Sequence, residues 1–305
     1  MANAEVNMKR KIEKKWKTGL IDIGNDCYAY IQTGGLNVSN AGLIIGPDSY
    51  LVIDTLFVKP MTEAFKCSIL EVTDKPLNSI ICTHHHADHT LGLAWFPRDI
   101  PVIAHEHMRE RMIESELDLA HFREVNPEYA EHLIEVTQFF PTHTYKGSMT
   151  LYLGNRRVEL HNMGHTHSKG DTMVYLPEEK ILFSGDFCFN FVTPATFDAH
   201  IGNWINKAKK ILKTFQIDII VPGHGPVGDR AILEDMVDYL SLVKRQSRKM
   251  YKDGLTAQEA AKGIRLGIYR DWIKPDRVEQ AVMKLYNEFQ GKGDQGISLE
   301  LAKGG

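Results

Sequence analysis

The sequence predicts an α/β protein, and three observations lead to that prediction. Short runs rich in Val, Ile, Leu and aromatic residues recur between turn-forming residues, as is typical of strands. Segments with apolar residues at helical spacing alternate with these runs. Four strand-like runs are followed directly by histidine or aspartate, and loops beyond strand ends are where α/β proteins build their sites.

Length and composition set the broad class. The chain has 305 residues, of which 43% are hydrophobic and 25% are charged. This is enough apolar material for a core, and it excludes disordered and fibrous proteins. The formal net charge is -3, so the broad basic surface of a nucleic-acid-binding protein is missing and we expect no nucleic-acid partner.

Cysteine usage and hydropathy bear on location. The four cysteines are widely spaced without a CxxC pair, so neither a thiolate zinc site nor a disulfide framework is predicted. The start, MANAEVNMKRK, lacks the apolar segment of a signal peptide, and no run of 18 apolar residues follows. We therefore expect a cytoplasmic protein without a membrane partner, and homo-oligomerisation is left open.

The first half of the chain is dense in short strand-like runs. Its strand-like runs cover 29–33, 41–46, 50–55, 79–83 and 101–104. The stretch TLGLAWF at 90–96 predicts a short helix between the last two runs.

A helical insertion is predicted over 105–145, where Glu, Arg, Leu and Met recur at helical spacing. We expect two helices that are broken near Asn126 and Pro127. If the insertion emerges on the side of the ligand-bearing loops, it would roof the site. It would then shape an apolar pocket for a small-molecule substrate together with Trp95, Phe187, Phe189 and Phe191. The same aromatics are equally typical of an ordinary core.

The second half predicts further strands and then helices. The strand-like runs cover 156–163, 171–176, 180–185 and 217–223. The PEEK turn between the middle two predicts a hairpin. From about 229 to 290 the pattern is helical, with two amphipathic helices around Pro275 in its later part.

Metal-ligating residue types cluster where four of these strands end. The candidate ligands are His84, His86, Asp88, His89, His165, Asp186 and His224. Seven ligands are too many for one tetrahedral zinc ion that keeps an open position. They suit two ions with three protein ligands each and one bridging carboxylate.

The chain resembles the metallo-β-lactamase superfamily in five motifs that occur in the family's order. These are YLVIDT, THHHADH, GHTHSKGD, LFSGD and VPGHG, and the resemblance covers roughly residues 25–240. It implies a four-layer αββα sandwich over 18–240 that includes the 105–145 insertion. A C-terminal helical extension over 241–305 would pack on the same domain.

The resemblance also implies a dinuclear zinc site in which Asp186 bridges two sets of ligands. One set would be His84, His86 and His165, and the other would be Asp88, His89 and His224. Asp54 would be a structural carboxylate. We expect His167 to lie beside the site or at the surface.

The chemistry implied is hydrolysis. Two zinc ions per chain would share a hydroxide, because zinc lowers the pKa of bound water toward about 7. This hydroxide would attack the carbonyl carbon of an ester, lactone or thioester. Asp88 is the candidate catalytic residue that would orient the hydroxide and relay its proton. With an aspartate at position 186, the implied ligand set resembles that of glyoxalase II and lactonases.

Other functions remain open on the sequence. The 164–187 stretch also resembles that of β-lactamases, which favours hydrolysis of a β-lactam or another amide. Iron-dependent oxidoreductases and nucleases share the fold, and a non-catalytic binding protein could retain it. The complete set of seven ligands disfavours the iron and non-catalytic alternatives, and the acidic balance disfavours the nuclease.

Overall fold

The computed structural model describes residues 10–35, 37–115 and 117–297. Within these ranges the strands form two sheets. The first sheet follows chain order and contains β1 (Gly19–Asp22), β2 (Cys27–Ile31), β3 (Ala41–Ile45), β4 (Tyr50–Ile53), β5 (Leu77–Ile81), β6 (Val102–His105) and β7 (His143–Tyr145). The second also follows chain order and contains β8 (Ser148–Leu153), β9 (Arg156–Asn162), β10 (Thr172–Leu176), β11 (Ile181–Phe189) and β12 (Ile219–His224).

Strand direction changes within each sheet. The first four strands of the first sheet pair antiparallel, and the pairs from β4 to β7 are parallel. In the second sheet β8 to β11 are antiparallel, while β11 and β12 are parallel. The predicted hairpin is confirmed, because Leu176 pairs with Ile181 across the PEEK turn.

The α-helices described are α1 (Lys59–Leu70), α2 (Ala87–Thr90), α3 (Glu106–Glu114), α4 (Leu119–Val125), α5 (Ile201–Thr214), α6 (Ala231–Lys252), α7 (Ala257–Gly263) and α8 (Val278–Phe289). Short 3-10 helices cover Leu91–Trp95, Pro127–Leu133, Gly267–Asp271 and Pro275–Arg277. No helix in the described ranges is long and apolar enough to cross a membrane.

The predicted αββα layering is confirmed by how the apolar residues divide. In β4, Leu51 and Ile53 face the core between the two sheets, whereas Val52 faces the helices outside. This alternation follows from the two-residue period of a strand. Helices α1 and α3 cover the outer face of the first sheet, and α5, α6 and α8 cover that of the second.

Several elements differ from the prediction. The sequence did not predict β1, β7 and β8, because none of them has a strong apolar run. β8 is a half-buried edge strand in which intermediate and exposed residues alternate. β11 extends four residues beyond the predicted end at 185. The insertion is broken at Asn126 and Pro127 as expected, but it also breaks between α3 and α4, and its last turn is a 3-10 helix.

The C-terminal helices share one apolar cluster with the second sheet. Leu285 of α8 and Tyr239 of α6 belong to the same cluster as Leu182 of β11 and Ile220 of β12. The boundary predicted between residues 240 and 241 falls inside α6, which runs without interruption from 231 to 252. Residues 298–305 of the predicted extension lie outside the described residues.

Candidate metal centre

The turn after β5 presents four of the candidate ligands. His84 lies on the extended segment, His86 is the N-cap of α2, and the first turn of α2 carries Asp88 and His89. His84 Nε2 lies 3.1 Å from His86 Nδ1, so the two rings converge as their i, i+2 spacing predicts. His85, between them, turns away and lies 3.2 Å from Asp198.

The loop after β9 supplies His167 rather than His165, which corrects the predicted placement. His167 Nε2 lies 3.0 Å from His86 Nδ1 and 3.3 Å from Asp186 Oδ2. His165 instead places Nε2 2.7 Å from the Asp198 carbonyl oxygen and Nδ1 3.1 Å from Asp294. Both ring nitrogens of His165 therefore have other partners, and it does not join the ligand cluster.

Asp171 explains why His167 is the histidine that turns inward. Its buried carboxylate accepts hydrogen bonds from the Thr166 hydroxyl, the His167 backbone N–H, and both the N–H and the hydroxyl of Ser168. These bonds wind the loop tightly around residues 166–168. The aspartate four residues after His167 is the sequence signal that could have distinguished it from His165.

Asp186 stands between two groups of ligands. On one side are His84, His86 and His167, and on the other are Asp88, His89 and His224. The Oδ1 atom of Asp186 lies 3.0 Å from His89 Nε2 and 3.3 Å from His224 Nε2. His224 Nε2 also lies 3.4 Å from Asp88 Oδ2. A single carboxylate thus faces both groups, as the prediction of a bridging residue requires.

Glycine at position 223 makes room for that carboxylate. A Cβ atom at Gly223 would lie 1.9 Å from Asp186 Oδ1, which no side chain can tolerate. β12 can therefore bring His224 beside Asp186 only because the preceding residue has no side chain.

The cluster fits a pair of metal ions. His89 Nε2 and Asp186 Oδ1 are buried and neither has a hydrogen-bond partner, although they are close neighbours. Buried polar atoms are rarely left unsatisfied, so their lone pairs fit a cation placed among them. Six imidazole and carboxylate groups around one aspartate are also the donor set that zinc prefers.

The pKa values of several side chains in the cluster are shifted by burial and by the charges of their neighbours. Burial lowers the pKa of His89, but the surrounding carboxylates outweigh burial and hold it well above its usual value. Burial raises the pKa of Asp186, yet His224, His89 and His167 bring it well below its usual range. Burial also lowers the pKa of His84 and of His167, which keeps both rings neutral and able to bind metal.

Outer hydrogen bonds fix the orientation of the ligand rings. Asp54 accepts bonds from the N–H and hydroxyl of Thr83 and lies 2.7 Å from His89 Nδ1, which matches the structural role expected of it. His224 Nδ1 lies 3.1 Å from the Val38 carbonyl oxygen. Each contact leaves the Nε2 atom of the ring directed at the cluster.

Asp198 orients His86 and had no motif to reveal it. Its Oδ2 atom lies 3.1 Å from His86 Nε2, so the Nδ1 atom faces the other ligands. We expect Asp198→Asn to weaken zinc binding by about 10- to 100-fold, as is typical when the partner of a metal-binding histidine is removed. Zinc titration against a chromogenic chelator measures this change. Unchanged affinity with an intact fold would contradict the orienting role.

The predicted substrate-contacting aromatics occupy different places. Phe187, Phe189 and Phe191 are at most 5% exposed and belong to the apolar core, which corrects the expectation of an open aromatic pocket. Phe189 stacks on the His224 ring at 5.0 Å and supports that ligand from behind. Trp95 ends the 3-10 helix after α2 and is only partly buried.

The insertion packs beside the metal-ligand turn. Leu133 is buried with Phe57 and Leu91, and Ala87 of α2 packs against the same cluster. Asn126 accepts a hydrogen bond from the Asn37 side chain at 2.9 Å, which connects the insertion to the loop before β3. The insertion therefore flanks the helix that carries Asp88 and His89.

Comparisons with known proteins agree with this geometry. The sequence model of the Metallo-beta-lactamase superfamily matches residues 34–224. A metallo-beta-lactamase type 2 of Bacillus cereus is 26% identical over 248 residues, which covers 78% of this chain and 89% of that protein. A hydroxyacylglutathione hydrolase of Bartonella quintana is 30% identical over 160 residues, covering 52% of this chain and 53% of that protein.

A solved structure extends the likeness to most of the chain. The sec-alkylsulfatase Pisa1 from Pseudomonas sp. has the same fold, with a TM-score of 0.72 at 18% sequence identity. The match covers 91% of this chain, and this chain spans about half (51%) of the alkylsulfatase. At this identity the likeness concerns the fold alone.

Proposed function

This chain belongs to the metallo-beta-lactamase superfamily, and from that premise we propose that it is a dinuclear zinc hydrolase of an ester, lactone or thioester bond in a small organic substrate. That it is a metal-dependent hydrolase of this superfamily follows from its relatives. The observation that carries the finer proposal is Asp186, a carboxylate that contacts histidines of both groups of candidate ligands.

The ligands are assigned from the contacts above. One zinc ion would be held by His84, His86 and His167, and a second by Asp88, His89 and His224, with Asp186 between them. When bound, two zinc ions would supply a water-derived nucleophile near neutral pH and a Lewis acid for the carbonyl oxygen.

Asp88 is proposed to guide the proton. Its Oδ2 atom lies 3.4 Å from His224 Nε2 and 3.9 Å from His89 Nε2, and the side chain is mostly buried. The Ser39 hydroxyl donates to the Asp88 backbone carbonyl, which fixes the start of α2. The other carboxylate oxygen of Asp88, Oδ1, can therefore hold a proton and pass it to a leaving group.

An aspartate at position 186 supports an ester, lactone or thioester as the substrate class. The similarity to a hydroxyacylglutathione hydrolase supports a thioester in particular. The second candidate is a β-lactam or other amide. It is favoured by similarity to a β-lactamase along 89% of that enzyme's length. The cytoplasmic location stays a prediction, and homo-oligomerisation stays open.

A substrate panel tests the proposal. The protein is loaded with zinc, its metal content is measured, and it is assayed on lactones, aryl esters, glutathione thioesters, β-lactams and an alkyl sulfate. We expect about two zinc ions per chain and the highest kcat/KM on an ester, lactone or thioester. Full zinc occupancy with no hydrolysis of these three classes would overturn the proposal, as would selective retention of iron.

A further inference from the structure

The loop that carries Asp198 is covered by the chain segment that follows α8. This segment, residues 291–297, is the last part of the chain that the structure describes. The Ile297 N–H donates to the Phe197 carbonyl oxygen at 3.1 Å, directly before Asp198. A Cβ atom at Gly296 would lie 3.2 Å from Asp198 Oδ1, so the backbone of the segment passes close beside that carboxylate. The 291–297 segment therefore limits where the Asp198 side chain can lie.

The same segment reaches Asp198 a second time through His165. Asp294 Oδ1 lies 3.1 Å from His165 Nδ1, and His165 Nε2 lies 2.7 Å from the Asp198 carbonyl oxygen. Since a carbonyl oxygen can only accept, His165 Nε2 donates this hydrogen bond. The ring thus bridges the segment and the loop. Its loss alone would leave the contacts of Ile297 and Gly296 in place.

Lys284 of α8 anchors the 291–297 segment. Its side chain is fully buried, and Nζ donates to the carbonyl oxygens of Gly293 at 3.3 Å and Gln295 at 2.5 Å. Burial lowers the pKa of Lys284, whereas the charge of Asp198 acts in the opposite direction. A buried ammonium group is costly unless hydrogen bonds and opposite charges offset the loss of water. Lys284 therefore ties two peptide groups of the segment to α8.

Another residue of α8 fixes the chain on the far side of Asp198. The Glu288 carboxylate accepts hydrogen bonds from the Ile201 N–H at 2.5 Å and from the Gly202 N–H at 3.0 Å. These are the first residues of α5, where backbone N–H groups lack partners within the helix and a negative charge is favourable. Helix α8 and the segment after it thus hold the loop on both sides of Asp198.

Asp198 connects these contacts to one group of metal ligands. Its Oδ2 atom lies 3.1 Å from His86 Nε2, and the Phe197 ring lies 4.7 Å from the His86 ring. Hydrogen-bond partners of this kind fix the ring orientation of a metal-binding histidine. The rings of His89 and His224 have other partners, so a shift of the loop would turn His86 and spare the second ligand group.

We propose that Lys284 and the 291–297 segment are positioning elements of the metal centre, which hold Asp198 in place and thereby set the orientation of His86 and the affinity for the zinc ion that it binds. This inference rests on the dinuclear centre of the proposed function. It goes beyond that function because it assigns a role to residues that contact neither the metal ligands nor a substrate.

Zinc affinities test the proposal without reference to turnover. Lys284→Met removes the buried ammonium group, and Gly296→Val crowds the Asp198 carboxylate. Lys292→Met and Gln295→Val are the matched controls, because both side chains are exposed in the same segment. Competition with a chromogenic chelator resolves the two zinc affinities. We expect both test variants to weaken one affinity by about 3- to 10-fold, less than direct loss of the Asp198 carboxylate, and the controls to leave both unchanged.

A double-mutant cycle separates positioning from a general loss of stability. In the Asp198→Asn background, Lys284→Met and Gly296→Val should have little further effect, because both act through that carboxylate. Gly296→Val carries the test if Lys284→Met does not fold by circular dichroism. Additive effects, equal weakening of both zinc affinities, or unchanged affinities in folded variants would each overturn the proposal.

The outcomes also distinguish this inference from the hydrolase proposal. If the wild type binds two zinc ions and the variants behave as expected while the substrate panel fails, the positioning role stands and the hydrolase proposal falls. If the panel succeeds and the zinc affinities of the variants match the wild type, the hydrolase proposal stands and the positioning role falls.

Discussion

His167→Ala should remove about one zinc ion per chain and lower kcat/KM by about three orders of magnitude, whereas His165→Ala should retain both ions and most of the activity. His167 Nε2 lies within 3.3 Å of Asp186 and 3.0 Å of His86, so its loss leaves one ion with too few protein ligands. Several kcal/mol of Lewis-acid stabilisation would be lost with that ion, which corresponds to the stated decrease in rate.

The two variants form a matched pair, because both remove an imidazole from the same loop. His165 already places its ring nitrogens on the Asp198 carbonyl and on Asp294, so its removal should loosen the loop without opening the metal centre. Zinc content by atomic emission and kcat/KM on the best substrate measure the contrast. The reverse pattern, in which His165→Ala loses zinc and His167→Ala retains it, would restore the ligand set that the sequence predicts.

Asp186→Asn should weaken both zinc sites together and reduce kcat/KM by at least about three orders of magnitude. Asparagine has nearly the same size, so Gly223 can still accommodate it, but it lacks the negative charge that faces both ligand groups. An amide also presents an NH2 group in place of one oxygen, and that group cannot bind a cation.

Competition with a chelator at several zinc concentrations resolves the two affinities in Asp186→Asn. Asp218→Asn is the control, since Asp218 is an exposed aspartate beside β12 that lies 3.7 Å from Lys180. We expect that variant to match the wild type. If Asp186→Asn lost only one ion and the affinity for the other were unchanged, Asp186 would be a ligand of a single site.

Most side chains of the candidate cluster were predictable from motifs, and those that depend on how a single loop folds were not. The 84–89 turn follows a buried strand, and its i, i+2 histidines converge in any extended backbone. The choice between His165 and His167 depends on how Asp171 winds one loop, and the position of Asp171, four residues after His167, was the only sequence signal for it. Asp198 is 112 positions from His86, so no pattern connected them.

The aromatic residues after Asp186 show a different limit. Phe187, Phe189 and Phe191 follow a ligand closely, which favoured a role in a substrate pocket. However, β11 is the second strand of its sheet and is buried on both faces, with the other sheet on one side and α5 and α6 on the other. The position of a strand within a sheet decides which of its side chains remain exposed, and this position cannot be inferred from composition.

The ligands are contributed by both sheets. The 84–89 turn extends from the first sheet, whereas His167, Asp186 and His224 belong to the second. Metal ions bound between the two sheets would therefore hold the sheets together, in addition to their chemical role. A ligand that binds only the folded state adds about 4 kcal/mol to the free energy of unfolding when its concentration is 1,000 times its dissociation constant. The stability of the packing between the two sheets would therefore rise with the concentration of available zinc.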